Sequence, residues 1–276
     1  MSDDFPYKVI TRPELRNSNL LVGWDDDAGK MGLSVTDYLI SKLNCELFCE
    51  IEPRAFFPMN GVLVDNDVAQ FPACNLYYSP GKNIAILRSS LPKFEWHSYL
   101  NIVLDIAERI CYVNEVYTIG GMISVLAHTA PRTIMATMNT SRVRETLENY
   151  NIELSMNYET PYGQRPTMSS YLLWVARQRN ITGISLWVPI PFYLVSVEDI
   201  TASRQIIDFF SRRFSLGLDL SDLDKQVNEQ NRKITAAIDH DPESKELIQK
   251  LESNVSLTEE DGQKLLKIIQ QHLLST

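Results

Sequence analysis

The chain has 276 residues, 35 acidic and 26 basic, for a formal charge of −9 with neutral histidines; 44% are hydrophobic and 22% charged. That apolar share supports a sizeable core and excludes a disordered chain, and no run approaches the ~20 apolar residues of a membrane span. The acidic Met1-Ser2-Asp3-Asp4 start does not read as a secretory signal, the charge argues against broad nucleic-acid binding, and four cysteines make no disulfide framework, so a soluble, cytoplasmic protein is expected.

Asn19 to Trp24 is a short continuous apolar run, as in a strand covered on both faces. After Asp25-Asp26-Asp27-Ala28-Gly29, residues Met31, Val35, Leu39 and Leu43 recur every fourth position and predict an amphipathic helix. Cys45 to Ile51 follows as a strand, and strand–helix–strand opens a parallel sheet. Prolines and Asp65-Asn66-Asp67 break the segment from Pro53 to Pro80 into short pieces around Val62-Leu63-Val64 and Leu76-Tyr77-Tyr78.

The alternation then resumes with a strand over Ile84–Leu87 and a helix over Tyr99–Tyr112. A strand over Glu115–Ile119 is expected to end at Gly120-Gly121, and another covers Thr133–Met138. Ser141 is the expected cap of a helix running to Tyr150. A helix over Met168–Gln178, a strand over Gly183–Val188 and a helix over Asp199–Phe214 complete an α/β core domain of 1–220. Beyond it, Leu220, Leu223, Val227, Ile234 and Ile238 approximate a heptad. A short helix over Glu243–Leu251 and a last helix opened by a capping box at Ser256–Glu259 make 221–276 a helical appendage.

Asp25, Asp26 and Asp27 fall at a strand's carboxyl end, where open α/β sheets place ligands. They can hold a hard cation, or one can cap the next helix while the others face water. Gly23, Gly29 and Gly32 miss the G-x-G-x-x-G spacing, and three aspartates would repel a pyrophosphate. Gly120 and Gly121 allow close backbone approach, and His128 with Arg132 can bind an anion or be a loop histidine and a solvated arginine. Cys45 and Cys49 are expected on one face of a strand, as buried thiols rather than metal ligands. The loop from Tyr158 to Gly163 is rich in turn residues, and Pro189-Ile190-Pro191-Phe192-Tyr193 places rings at the same sheet edge.

The succession Val22-Gly23-Trp24-Asp25-Asp26-Asp27-Ala28-Gly29, Pro92-Lys93-Phe94-Glu95-Trp96, Gly120-Gly121, His128-Thr129-Ala130-Pro131, Tyr162-Gly163, Pro191-Phe192-Tyr193 and Leu216-Gly217-Leu218-Asp219-Leu220 resembles the proteasome assembly chaperone family in its prokaryotic branch. That branch also carries an ATP-grasp label, but no glycine-rich phosphate loop accompanies it here. The resemblance runs from about Leu20 to Ile238 and implies a three-layer α/β/α sandwich with a mostly parallel sheet, of the nucleoside phosphorylase and hydrolase type. It also implies a homo-oligomer, with a trimer expected, and an assembly chaperone without a catalytic residue set, cofactor or metal. Proteasome α-subunits or another protein complex are the implied client, and the last residues are Leu274-Ser275-Thr276, with serine where a hydrophobic-tyrosine-any tripeptide has tyrosine.

Two function classes follow. In the first the chain is a protein-binding factor, with Tyr162, Phe192, Tyr193, Leu265, Leu266, Ile269 and Leu273 as partner-binding residues; the terminal helix stripe either docks on its own domain or on a partner groove. In the second it is a small-ligand protein or a hydrolase- or phosphorylase-like enzyme, with Asp25, Asp26, Asp27, Gly120, Gly121, His128 and Arg132 around a site at the strand carboxyl ends.

Overall fold

The computed structural model describes residues 6–58, 63–65, 67–157, 159–239, 241–253 and 255–274. The strands are β1 (Tyr7–Val9), β2 (Ser18–Trp24), β3 (Glu46–Ile51), β4 (Leu63–Asp65), β5 (Val68–Gln70), β6 (Cys74–Tyr78), β7 (Ile84–Ser89), β8 (Val113–Ser124), β9 (Met135–Met138) and β10 (Thr182–Pro191). The helices are α1 (Met31–Lys42), α2 (Trp96–Arg109), α3 (Arg144–Glu148), α4 (Met168–Gln178), α5 (Ile200–Arg213), α6 (Ser221–Asp239), α7 (Pro242–Glu252) and α8 (Glu259–Leu274).

Eight strands form one sheet in the order β1-β3-β6-β7-β2-β8-β10-β9, and β4 and β5 pair as a separate hairpin. The sheet is mixed. Its four central strands, β7, β2, β8 and β10, run parallel, whereas β1, β3 and β6 on one flank and β9 on the other join antiparallel. The parallel centre is the part read from the strand–helix alternation. Between Pro53 and Pro80 the chain returns as β6, which pairs antiparallel with β3 and, through the short turn at 79–83, with β7.

Both sheet faces are covered, which explains why β2 and β7 are continuously apolar. Leu21, Ile84 and Ile86 face one core with α1 and α5, while Leu20, Val22, Ala85 and Leu87 face the other with α2 and α4. The three layers are therefore α1/α5, sheet, and α2/α4. Leu223, Ile234 and Ile238 of α6, Leu247, Ile248 and Leu251 of α7, and Leu265 and Ile269 of α8 enter the same apolar cluster as α1 and α5. These terminal helices close over that layer.

Gly23 and Gly32 have a steric role in place of a ligand loop. A Cβ on Gly23 would lie 2.2 Å from the Gly32 carbonyl oxygen, and one on Gly32 2.3 Å from that of Trp24. Helix α1 thus starts directly against β2.

Four local expectations are corrected. β8 does not end at Gly120-Gly121 but runs through both to Ser124, and β10 continues to Pro191 beside it. Thr140, one residue earlier than expected, provides the cap before α3, its oxygen accepting from the Arg142 amide. Thr258 accepts from the Asp261 amide at the start of α8. Cys45 precedes β3 and packs toward the α1/α5 core, whereas Cys49 packs toward the other core. A register shift between Leu47 and Cys49 interrupts the simple alternation that would have placed both on one face.

Candidate functional site at the strand carboxyl ends

The three aspartates after β2 diverge. Asp25 accepts the Leu91 amide at 2.8 Å, and Asp26 pairs with exposed Lys93 at 3.1 Å. Asp27 turns inward, and its two carboxylate oxygens accept the Gly121 amide at 3.1 and 3.0 Å. It is not the side-chain cap of the short 3-10 turn at Ala28–Lys30. Among the described residues no group of three or more His, Cys, Asp or Glu side chains gathers as a metal site. Burial pushes the Asp27 carboxyl up to about 7, against the hydrogen bonds from Gly121 and neighbouring amides that favour its charged form.

Gly121 has to be small. A Cβ there would lie 2.3 Å from the Ala28 carbonyl oxygen and 2.8 Å from the Ile190 side chain. The same turn is fastened again by Gly29, whose amide donates to the Val195 carbonyl and whose carbonyl accepts from the Asp199 amide. The ends of β2, β8 and β10 are thereby locked together.

His128 and Arg132 belong to the interior of this lock. The side chains of Arg132 and Asp199 are 0% and 1% exposed, and the guanidinium meets the carboxylate at 3.2 Å. Arg132 also donates to the carbonyls of Ala127, Ala130 and His128. Asp199 caps α5 by accepting the Ala202 amide at 3.0 Å. His128 lies with Nδ1 3.1 Å from the Tyr193 hydroxyl, and burial, with Arg132 adding, holds it down to about 4. A neutral buried imidazole beside a fully paired guanidinium offers no exposed cation. The expected anion pair is replaced by a structural knot, because a guanidinium this deep requires a carboxylate and carbonyls around it.

The expected partner residues separate into two groups. Tyr162 stands fully exposed on its loop, while Tyr158 lies outside the described residues. Tyr193 is fully buried, and Phe192 is half-buried with its ring edge-on to Tyr193 at 5.2 Å. Leu265 and Ile269 are fully buried, with Leu266 and Leu273 half-buried around them. The stripe of α8 docks on its own chain: Gly262 faces the Phe192 ring, and Gln270 donates to Ser196. Tyr193, Leu265 and Ile269 are thus corrected from partner contacts to core residues. Gly120 also lies inside, against the Trp187 ring.

Sequence reading missed the exposed apolar residues just beyond this lock. Pairing of β8 with β2 stops at Ile119, whereas pairing with β10 continues to Ser124. Among the described residues no strand pairs with Gly120–Ser124 on the β2 side. Met122, Ile123 and Val125 are 37%, 59% and 68% exposed on this projecting end. Their only sequence signal was an apolar run continuing past two glycines.

A family model matches residues 20–238, described as the PAC2 family. The chain belongs to the PAC2 family. The matched segment begins within β2, takes in every later strand and ends within α6. Solved structures share the fold of this PAC2 protein at low identity. Rv2714 of Mycobacterium tuberculosis, a protein of unknown function, has a TM-score of 0.77 at 20% identity, covering 96% of each chain. PbaB of Pyrococcus furiosus, an archaeal proteasome activator, has a TM-score of 0.66 at 20% identity, covering 82% of this chain and 95% of its own. Rv2125, a proteasome-assembly chaperone homologue of M. tuberculosis, has a TM-score of 0.67 at 16% identity, covering 80% and 95%. Comparison with curated proteins found no match.

Proposed function

We propose that this PAC2 protein is a non-catalytic, homo-oligomeric protein-binding factor that acts in the assembly of a larger complex. The observation that carries the reading is the projecting end of β8. It joins exposed apolar side chains to an open strand edge, two features that other protein chains recognise. Beside it, the polar groups that an enzyme would direct at a substrate are engaged within the chain: Asp27 with Gly121, and Arg132 with Asp199. Family membership and the fold shared with a proteasome activator and an assembly chaperone homologue support proteasome α-subunits as the client class.

Two measurements test this. Light scattering at micromolar concentration should give a multiple of the 31.6 kDa chain mass; the monomer mass would overturn self-association. Titration with purified α-subunits of the same host should show saturable binding that I123D/V125D abolishes without unfolding the protein. Binding unchanged by that substitution would remove the ridge from the interface, and absence of binding would remove the client.

A further inference from the structure

A second cleft opens at the opposite end of the sheet from the Asp27–Gly121 lock. It lies where β9 ends and β10 begins, between the turn entering α3 and the last turn of α4. Its volume is about 600 Å³, within the range that holds a small-molecule ligand. Arg142, Arg144 and Arg177 line it, and among the described residues no carboxylate does.

That composition is unusual in a chain of charge −9. Many arginines elsewhere are paired with acids, as Arg88 is with Asp37, Arg179 with Asp105 and Glu108, Arg204 with Asp224, and Arg213 with Glu115, and those with no acid partner among the described residues, such as Arg12 and Arg109, do not line this cleft. Among the described residues neither Arg142 nor Arg177 has an ion-pair partner. Arg144 makes only a long contact of 3.8 Å to exposed Glu148 and donates to the Leu154 carbonyl.

The floor beneath the arginines is fixed. The Asn139 amide group donates to the carbonyls of Leu173 and Ile181, and its oxygen accepts the Gly183 amide at 2.9 Å. One side chain thus ties the end of β9 to α4 and to the start of β10. The backbones carrying Arg142 and Arg177 are held in place before any ligand arrives, which lowers the entropic cost of binding.

We propose that this cleft binds a small molecule through a phosphoryl group, with Arg142 and Arg177 taking its oxygens. Guanidinium forks match the geometry of phosphate oxygens and lose no charge at any physiological pH. The ligand is a phosphate ester or diphosphate, with its remainder against Met138 and Ile181. This site is independent of the β8 ridge and stands or falls separately from the proposed client binding.

The test is calorimetric titration of the full chain with pyrophosphate, inorganic phosphate and citrate at constant ionic strength. Pyrophosphate should bind saturably, phosphate more weakly, and citrate more weakly still. R142A/R177A should weaken pyrophosphate by about a hundredfold, tenfold for each charge-assisted contact removed. R142K/R177K should keep part of the affinity, since it retains the charge without the fork. Because both arginines are exposed, the melting midpoint without ligand should match that of the unsubstituted protein. Non-saturable binding, an unchanged affinity in R142A/R177A, or citrate binding as tightly as pyrophosphate would overturn the proposal.

Discussion

The carboxylate of Asp27 and the amide of Gly121 meet at 3.0 Å where β2 ends and β8 continues beside β10. Asp27 thereby covers the first amide left open on that side of β8, and the strand beyond is exposed. A carboxyl held at about 7 by burial, against an ordinary 3.8, binds its proton more tightly in the folded chain. Its contribution to stability is full below pH 3.8 and is lost as pH rises through 7. Asp27→Asn removes that loss. In urea unfolding at a series of pH values, the variant should gain stability relative to the parent as pH rises from 4 to 8, by about 1–3 kcal/mol. Parallel pH profiles would refute the assignment.

His128 titrates with the opposite sign. Burial lowers it from 6.5 to about 4, so its contribution is present above 6.5 and falls away as pH drops through 4. Between pH 4 and 6.5 the two groups oppose each other. His128→Gln should therefore make the protein relatively more resistant to acid, measured as the difference in unfolding midpoint between pH 7 and pH 4.5.

The Arg132–Asp199 pair is predicted to be structural. Arg132→Met should cost about 3–5 kcal/mol, because Asp199 would keep a buried charge with no cation. The double substitution with Asp199→Asn should recover part of that loss, although the α5 cap is weakened. Denaturant midpoints of the two single variants and the double variant supply the cycle. Additive losses would show that the pair is not coupled.

Gly121→Ala should be far more damaging than alanine at Gly163. The first drives a methyl to 2.3 Å from the Ala28 carbonyl, whereas a Cβ at Gly163 meets nothing within 4 Å. About 3 kcal/mol or more is expected at 121, and about 1 kcal/mol at 163 from its positive φ alone. Thermal melts of both variants decide the comparison.

Ile269→Ala should cost about 2–4 kcal/mol, since its side chain is fully buried among α1/α5-layer residues. If α8 instead left this surface readily, the substitution would be nearly neutral. Hydrogen exchange of α8 amides should quicken in the variant before that of the central strands.

The sequence already contained the alternation that builds the sheet centre, because each element's period reports which faces it buries. Leu20, Leu21 and Val22 had to be covered on both sides, and Met31, Val35 and Leu39 on one. The order of small motifs likewise pointed to the family that the match over residues 20–238 shows. The α8 stripe of Leu265 and Ile269 was legible as a surface that needs covering, but a helix pattern does not state which chain supplies the cover.

Only the tertiary structure decided what became of the polar residues. Asp25, Asp26 and Asp27 are adjacent in sequence yet reach Leu91, Lys93 and Gly121. Arg132 meets Asp199, 67 positions away. Residue type and spacing cannot distinguish a ligand-binding arginine from a buried one, since both need the same charge. The difference lies in whether a carboxylate from another element arrives first: at Arg132 it does, and in the cleft of Arg142 and Arg177 none of the described lining residues is a carboxylate. The exposed end of β8 has the same origin, because its open edge exists only where β2 stops and β10 continues.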